Sequence, residues 1–248
     1  MTDIEKALYA IMDGMGSLPV VFKGAMVTNV IIQDSETKRH TKDIDVNWTG
    51  RKLSMQELES AIQSSITNAG LRYEIAPFRD YGKNQSAGFY ILNNGERIAK
   101  MDVDMREYKG STTTYKVGEI EFKGVSVEQI IGDKISALSG EKAFRRAKDL
   151  VDLQAIASTT NFSLNDVRDY MSENDREIGD FLALFDEDKM GHAYDKLTGV
   201  ENKKPYEDVV AQVMQLTSPF RGGSGDIWVR PHYRRGKPVK GHWRRRRK

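Results

Sequence analysis

The chain of 248 residues contains no cysteine. A disulfide framework, a thiolate metal site and a cysteine nucleophile are therefore excluded. No apolar run approaches the roughly 18 residues of a membrane-spanning helix, and the N-terminus lacks a basic and apolar signal sequence. These absences favour a cytoplasmic protein with no membrane partner, and the length allows one large domain or two small ones.

Charge is nearly balanced over the whole chain, at a formal net +2, but it is unevenly distributed. Residues 221–248 contain eleven Lys and Arg against one acid, a net +10, while the other 220 residues contain 27 basic and 35 acidic side chains, a net −8. With few apolar residues, this tail is predicted to be disordered. Its cations and interleaved aromatics suit RNA binding, and a partner-binding segment or a solubility tail is an open alternative.

Two short stretches of predicted strand carry carboxylates at alternate positions. Asp43 and Asp45 are one pair, and Asp102 and Asp104 are the other. Residues i and i+2 of a strand share a face, so each pair points one way. Aspartate is depleted in strands, and clustered carboxylates repel one another unless a cation intervenes. The pattern therefore indicates a Mg²⁺ or Mn²⁺ site, against the alternative of a solvated sheet face.

An apolar strand over residues 18–22 precedes Lys23, Gly24 and Ala25, and a short helix is predicted over 26–32. A strand that turns into a helix at small residues offers backbone N–H groups to an anion such as phosphate. Many strand–helix turns contain glycine, so this signal alone does not identify a site.

The remaining pattern predicts a β-rich front half and a helical back half. A capping box at Ser54 and Glu57 begins a helix that ends at Gly70, and a turn at Asn94 and Gly95 joins two strands. Strands are predicted over 71–75, 88–92, 97–105 and 115–122. Helices are predicted over 127–139, 141–158, 164–172, 175–186, 188–198 and 205–216. The prediction is an α+β fold: an α/β domain over 1–125, an all-helical domain over 126–218 and a basic tail over 219–248.

A second charged group lies on two consecutive predicted helices. Lys134 faces away from the apolar positions Ile131, Ile135 and Leu138. The next helix carries four charged residues three or four apart on one face: Arg145, Lys148, Asp149 and Asp152. A helix surface covered with ion pairs explains this pattern, and so does a cation that contacts phosphate.

These elements occur in an order that resembles a known family. The order is Lys23-Gly24-Ala25, the Asp43 and Asp45 strand, a later strand acid, Asp133-Lys134, and the segment 145–152. The array is similar to the nucleotidyltransferase toxins of the AbiEii/AbiGii abortive-infection family of type IV toxin–antitoxin systems. That family is part of the polymerase-β-like nucleotidyltransferase superfamily. The resemblance covers roughly residues 1–216 and implies a polymerase-β-like mixed sheet with flanking helices.

The resemblance implies Mg²⁺- or Mn²⁺-dependent transfer of a nucleoside monophosphate from an NTP to an acceptor hydroxyl. The acceptor would be RNA such as tRNA, or a protein. The setting would be a phage-defence toxin–antitoxin system with a cognate antitoxin as partner.

The resemblance also implies roles for individual residues. Metal would be held by Asp43 and Asp45 with Asp102 or Asp104. Lys134 would contact the triphosphate, and Asp152 or Asp149 would position or deprotonate the acceptor. Nucleotide binding would involve six further residues: Lys23, Gly24, Ala25, Thr41, Arg145 and Lys148.

Two other functional classes are open. A catalytically silent nucleotide- or RNA-binding module would be signalled by loss of Asp43 or Asp45, and both are present. A metal-dependent phosphohydrolase or nuclease commonly adds histidine ligands, but the four histidines are scattered: His40, His192, His232 and His242. Only His40 lies near the acids in sequence.

Overall fold

The computed structural model describes residues 1–80, 82, 85–140, 142–176, 186–220, 226–229, 232–234, 237–239 and 242–245. The chain divides into two compact units. The first unit contains Met1–Gln33 and Arg39–Ile130, and the second contains Asp34–Lys38 and Ile131–Lys248.

The first unit is built on a mixed seven-stranded sheet. Its helices are α1 (Asp3–Gly14), α2 (Gly24–Ile31) and α3 (Met55–Asn68). The strands in this part of the chain are β1 (Val20–Lys23), β2 (Lys38–Arg39), β3 (Asp43–Trp48), β4 (Tyr73–Asp80), β5 (Ser86–Asn93), β6 (Glu96–Asp104), β7 (Thr112–Val117) and β8 (Ile120–Val125). The sheet order is β4-β5-β6-β3-β1-β8-β7, in which β3 runs parallel to β6 and β1 runs parallel to β8.

The central strands separate an apolar face from a polar face. Ile44, Val46, Phe89, Met101 and Val103 are at most 1% exposed on the apolar face. Burying a side chain of this kind contributes roughly 1.5–3 kcal/mol, so this face forms the core of the unit. The alternate positions of β3 and β6 carry the carboxylates on the opposite face, as the period-two pattern predicts.

Local sequence signals account for most element boundaries in this unit. The capping box at Ser54 and Glu57 is formed, and Ser54 Oγ accepts from the Glu57 N–H. Asn94 and Gly95 have φ values of 52° and 79°, which a tight hairpin turn requires. The single strand predicted over 115–122 is wrong. Gly118, at φ 60°, turns the chain there and splits the segment into β7 and β8.

The second unit is mainly helical. Its elements are α4 (Val127–Ser139, which starts in the first unit), α5 (Ala147–Thr159), α6 (Leu164–Glu173), α7 (His192–Asp195), β9 (Val200–Glu201) and α8 (Tyr206–Thr217). Leu150, Leu153 and Ile156 of α5 and Val213 and Met214 of α8 are fully buried. Among the described residues, no helix is both long and apolar enough to cross a membrane.

Three predicted helices of this unit differ from the structure or lie outside it. The helix predicted over 141–158 begins only at Ala147, after a 3₁₀ turn over Ala143–Arg146, and such turns are frequent at the N-termini of α-helices. The helix predicted over 188–198 consists of a π turn over Glu187–Gly191 followed by the short α7. Residues 177–185 of the helix predicted over 175–186 lie outside the described residues.

Four short strands occur in the tail that we expected to be disordered. They are β10 (Asp226–Val229), β11 (His232–Arg234), β12 (Lys237–Val239) and β13 (His242–Arg245). β10 pairs antiparallel with β13, with Trp228 opposite Trp243, and β11 pairs antiparallel with β12. Valine and the aromatic residues favour extended structure, which explains strands in a segment with few apolar residues.

Candidate active site

The carboxylates of β3 and β6 lie side by side on the polar face of the sheet. The parallel register pairs Asp45 with Asp102, Asn47 with Asp104, and Asp43 with Lys100. Asp43 is exposed, whereas Asp45 and Asp102 are half-buried. Because paired strands are separated by about 4.8 Å, the register brings Asp45 and Asp102 next to each other.

The Asp45 side chain also lies against Gly24, the first residue of α2. Gly24 has φ 69°, and a Cβ atom there would lie 2.0 Å from Asp45 Oδ2. Glycine is therefore required both by the left-handed backbone and by the close approach of the carboxylate. The Lys23 side chain makes no capping hydrogen bond to α2. The start of the helix therefore has the Asp45 carboxylate beside it and no cap from the residue that precedes it.

The Asp104 carboxylate contacts two cationic side chains, those of Arg106 and Lys23. Arg106 donates from Nε to Asp104 Oδ1 at 2.9 Å and from Nη2 to Oδ2 at 2.6 Å. Lys23 Nζ lies 3.4 Å from Asp104 Oδ2 and donates to Asn47 Oδ1 at 2.7 Å. Burial raises the pKa of Asp104, but Arg106 and Lys23 outweigh that effect and hold this pKa at about 2.

Two residues expected to bind nucleotide have local structural roles in the described contacts. Thr41 is buried, and its Oγ1 accepts from the Asp43 N–H at 3.2 Å. The contact fixes the start of β3. Ala25 is 7% exposed in the first turn of α2. His40, the histidine nearest the acids in sequence, lies 3.1 Å from Glu5 Oε1 through Nδ1.

The donor set on the polar face suits a hard divalent cation. Asp43, Asp45 and Asp102 supply only oxygen atoms, which is the chemistry that Mg²⁺ and Mn²⁺ prefer. The approach of Asp45 to Gly24 leaves that carboxylate beside the α2 N-terminus rather than in the core. Within the described ranges, however, no three His, Asp or Glu side chains converge closely enough to form a metal cluster.

A separate ion network is buried in the second unit. Lys134 Nζ donates to Asp149 Oδ1 at 2.9 Å and to Asp152 Oδ2 at 2.6 Å. Lys134 is 7% exposed, Asp149 1% and Asp152 0%. Burial lowers the pKa of Lys134, but the two carboxylates outweigh burial, so this pKa is raised and the lysine stays charged. The interpretation of these residues as surface ion pairs is therefore wrong.

Sequence reasoning missed Arg146 as a member of this network. Arg146 Nε lies 2.6 Å from Asp149 Oδ2. Arg145, which we expected to contribute, is exposed, with its guanidinium carbon 5.7 Å from the centre of the Phe144 ring. Lys148 is half-buried. The i,i+3 spacing of Arg146 and Asp149 was the available signal, but the 3₁₀ turn shifts the helical phase that we assumed.

A pocket of about 600 Å³ lies beside this network in the second unit. It is lined by Ser136, Ala137, Gly140, Lys142, Arg145 and Arg146. Three of the lining side chains are cationic and none is acidic, so the pocket favours an anionic ligand.

The sheet has a nucleotidyltransferase fold, and the family comparison identifies the chain as a nucleotidyltransferase. It belongs to the family of nucleotidyl transferase AbiEii toxins of type IV toxin–antitoxin systems, whose model matches residues 6–220. The resemblance predicted from the sequence is therefore confirmed.

The fold is shared with a solved toxin structure. MenT4, a nucleotidyltransferase toxin from Mycobacterium tuberculosis H37Rv, superposes with a TM-score of 0.57 at 14% identity, over 86% of this chain and 80% of that chain. An antigenic nucleotidyltransferase-like protein from Paracoccidioides brasiliensis has a TM-score of 0.47 at 13% identity, over 72% of this chain and 94% of its own. ANT(2″)-Ia, in complex with adenylyl-2″-tobramycin, has a TM-score of 0.43 at 15% identity, over 69% and 97%. No curated protein matches the chain.

Proposed function

We propose that this chain transfers a nucleoside monophosphate from an NTP to an acceptor hydroxyl with Mg²⁺ or Mn²⁺, as a cytoplasmic phage-defence toxin controlled by a cognate antitoxin. The acceptor classes are RNA, such as tRNA, and protein. The observation that carries the proposal is the Asp45 carboxylate against Gly24 at the start of α2. This contact places a carboxylate, which can bind a divalent cation, beside a helix N-terminus, which can bind phosphate. Metal-dependent transfer from a triphosphate can use both features.

The α2 N-terminus binds the phosphates in this proposal. The first N–H groups of a helix lack intrahelical partners, and the helix dipole favours negative charge there. Gly24 admits the Asp45 carboxylate to the start of the helix, so the phosphates would meet the N–H groups that follow, beginning with that of Ala25. Lys23, held by Asn47 and Asp104, places one positive charge on the same face.

Asp43, Asp45 and Asp102 are the carboxylates that we propose for the cation, which would have to draw them together because they do not converge in the described structure. A divalent cation bound there would neutralise triphosphate charge and lower the pKa of the attacking hydroxyl. We assign the third carboxylate to Asp102 rather than Asp104. Asp102 is the register partner of Asp45, whereas both oxygens of Asp104 bind Arg106.

The resemblance implies that Lys134 contacts the triphosphate, but its ammonium is buried against Asp149 and Asp152. We therefore assign acceptor activation in the second unit to Asp152, with Lys134 as its positioning residue. The Lys134 ammonium offsets the mutual repulsion of two buried carboxylates and fixes the Asp152 side chain at 2.6 Å. Arg145 and Lys148 supply positive charge for a polyanionic substrate. Asp149 then has a structural role, since its carboxylate contacts both Lys134 and Arg146.

The test is nucleotidyl transfer from labelled NTPs to total cellular RNA or protein in the presence of Mg²⁺. The Asp43→Asn/Asp45→Asn double variant should lose transfer, and toxicity on expression should be lost with it. Its thermal stability should be unchanged or raised, because removing clustered charge relieves repulsion. Glu74→Gln, an exposed carboxylate of β4, is the matched control and should retain activity. Full transfer by the double variant would refute the proposal.

A further inference from the structure

Two aromatic rings stack on the strands at the β4 edge of the sheet. The ring centres of Phe78 and Tyr90 lie 4.4 Å apart with an interplanar angle of 18°. The Arg97 guanidinium carbon lies 4.3 Å from the centre of the Tyr90 ring, and Lys100 Nζ lies 5.9 Å from the centre of the Phe78 ring. In the described part of the chain, neither cation forms a salt bridge.

This stack is not part of the hydrophobic core. Phe89 and Ile91, on the opposite face of β5, are 0% exposed, whereas Phe78 and Tyr90 are only half-buried. The rings therefore form a partly open surface with cations beside it, which we call the aromatic platform: Phe78, Tyr90, Arg97 and Lys100.

The aromatic platform shares a face with the catalytic carboxylates. Tyr90 is the register partner of Lys100, and Gly88 is the register partner of Asp102. A Cβ atom on Gly88 would lie 2.7 Å from the Phe78 ring, so this ring covers the glycine beside Asp102. Phe78 is positioned there by a β-bulge in β4 between Pro77 and Arg79. Bulges commonly redirect a side chain in this way.

We propose that the aromatic platform binds an unpaired nucleobase of a single-stranded polynucleotide, so that the acceptor is RNA rather than protein. Every nucleobase has a π face, and stacking on aromatic rings is a general means of binding single strands. Arg97 lies closer to the Tyr90 ring, at 4.3 Å, than Lys100 lies to the Phe78 ring, at 5.9 Å, so we place the base on Phe78. Lys100 then faces the phosphate that follows the base.

The strand order assigns this platform to the acceptor rather than to the NTP, and this step rests on the proposed function. In phosphoryl transfer the attacking and leaving oxygens lie roughly in line. The proposed phosphate site is at α2, which follows β1, and the carboxylates are on β3 and β6. In the order β4-β5-β6-β3-β1 the aromatic platform lies on the other side of the carboxylates from β1. A pyrophosphate that leaves toward α2 requires attack from the platform side.

The test measures RNA binding without catalysis. The full chain is titrated, without NTP or divalent metal, into a fluorescein-labelled single-stranded oligoribonucleotide and into the matching duplex. Phe78→Leu keeps the apolar volume but removes the ring, and Phe78→Tyr keeps the ring. Phe78→Leu should bind the single strand about 5- to 150-fold more weakly, the range expected for one stacked base, and Phe78→Tyr should bind it normally. Duplex binding and NTP affinity should not change.

The outcomes separate this inference from the proposed function. Equal single-strand affinities for Phe78→Leu and the unmodified protein would overturn the aromatic platform, and intact transfer in that case leaves the enzyme assignment standing. Reduced NTP affinity in Phe78→Leu would also overturn it, by assigning the platform to the base of the NTP. Phe78-dependent RNA binding in a chain that never transfers nucleotide would support the platform and refute the proposed function. Near-ultraviolet circular dichroism checks that each variant is folded.

Discussion

Lys134 Nζ lies 2.6 Å from Asp152 Oδ2, and neither side chain is more than 9% exposed. Asp149 shares the lysine at 2.9 Å. Such a network is costly to desolvate, and its members depend on one another, because removing one leaves uncompensated buried charge. The geometry therefore links the stability of the second unit to the same residues that we assign to acceptor activation.

Replacing Lys134 by methionine should destabilise the chain by about 3–5 kcal/mol, since two buried carboxylates then lose their shared cation. The pKa of Lys134 is raised above 10.5, so this stabilisation is complete through neutral pH and is lost only as pH rises through the folded-state pKa. Urea unfolding at neutral pH measures the loss. Lys6→Met removes an exposed pair with Asp3 and should leave the free energy of unfolding nearly unchanged.

Activity tests the same lysine independently. At a temperature where both proteins are folded, Lys134→Ala should reduce NTP turnover by orders of magnitude if the network positions Asp152. Near-normal turnover in a folded, destabilised variant would make the network purely structural.

Gly24→Ala should abolish most transfer. The new Cβ would lie 2.0 Å from Asp45 Oδ2, so the carboxylate must move, and misplacing a reacting group by about 1 Å can cost roughly 100-fold in rate. Gly70→Ala is a matched control. Gly70 has φ 77° but no atom within 4 Å of the added Cβ, so it carries the same backbone cost of about 1–2 kcal/mol without displacing a carboxylate. Similar activity in the two variants would contradict the role of the contact.

Arg106→Ala should change how stability depends on pH. The pKa of Asp104 is about 2 in the folded chain, below its ordinary 3.8, so the paired carboxylate stabilises the fold above about pH 4. This contribution is lost as pH falls from about 4 toward about 2. Because Arg106 is largely exposed, we expect it to contribute only on the order of 1 kcal/mol. Thermal unfolding of both proteins across this range should show stability curves that converge at the acid end, and a constant difference would contradict the pairing.

Patterns of side-chain spacing predicted much of the first unit. Asp43 and Asp45 share one face, and so do Asp102 and Asp104, because a strand has a period of two whatever the surrounding fold. The hairpin at Asn94 and the cap at Ser54 follow from local chemistry in the same way. What alternation could not supply was the pairing of strands, which depends on contacts distant in sequence.

The parts that sequence did not predict depend on three-dimensional partners. Lys134 is hydrophilic and was assigned to a helix surface, but two carboxylates from α5 allow its burial. Asp102 and Asp104 are equivalent in sequence, and the strand register and the contacts of Arg106 and Lys23 with Asp104 distinguish them. The stack of Phe78 on Tyr90 depends on the register shift after Pro77, and the sequence does not show which ring of the next strand Phe78 meets.

The tail provides the last prediction. The tail has a net charge of +10 and the other 220 residues have a net charge of −8. Acidic surface of the same chain and an external polyanion are therefore two candidate binding partners of the tail. If it binds RNA, each neutralised phosphate releases counterions, and affinity should fall with salt with a log–log slope of roughly −0.7 per contact for single strands. Deleting residues 221–248 should then weaken RNA binding and flatten the slope, while turnover on NTP with a small acceptor survives.

Full-length and truncated chains are compared with one RNA at two salt concentrations. Trp243→Ala in the full-length chain separates stacking from charge. The β10–β13 register places Trp243 opposite Trp228, and loss of one stacked base costs ~1–3 kcal/mol with little dependence on salt. A variant that lowers affinity without changing the slope identifies stacking, whereas the truncation should change both. Equal affinities and equal slopes for the full-length and truncated chains would show that the tail is not an RNA-binding segment, and its charge would then serve the acidic body or another partner.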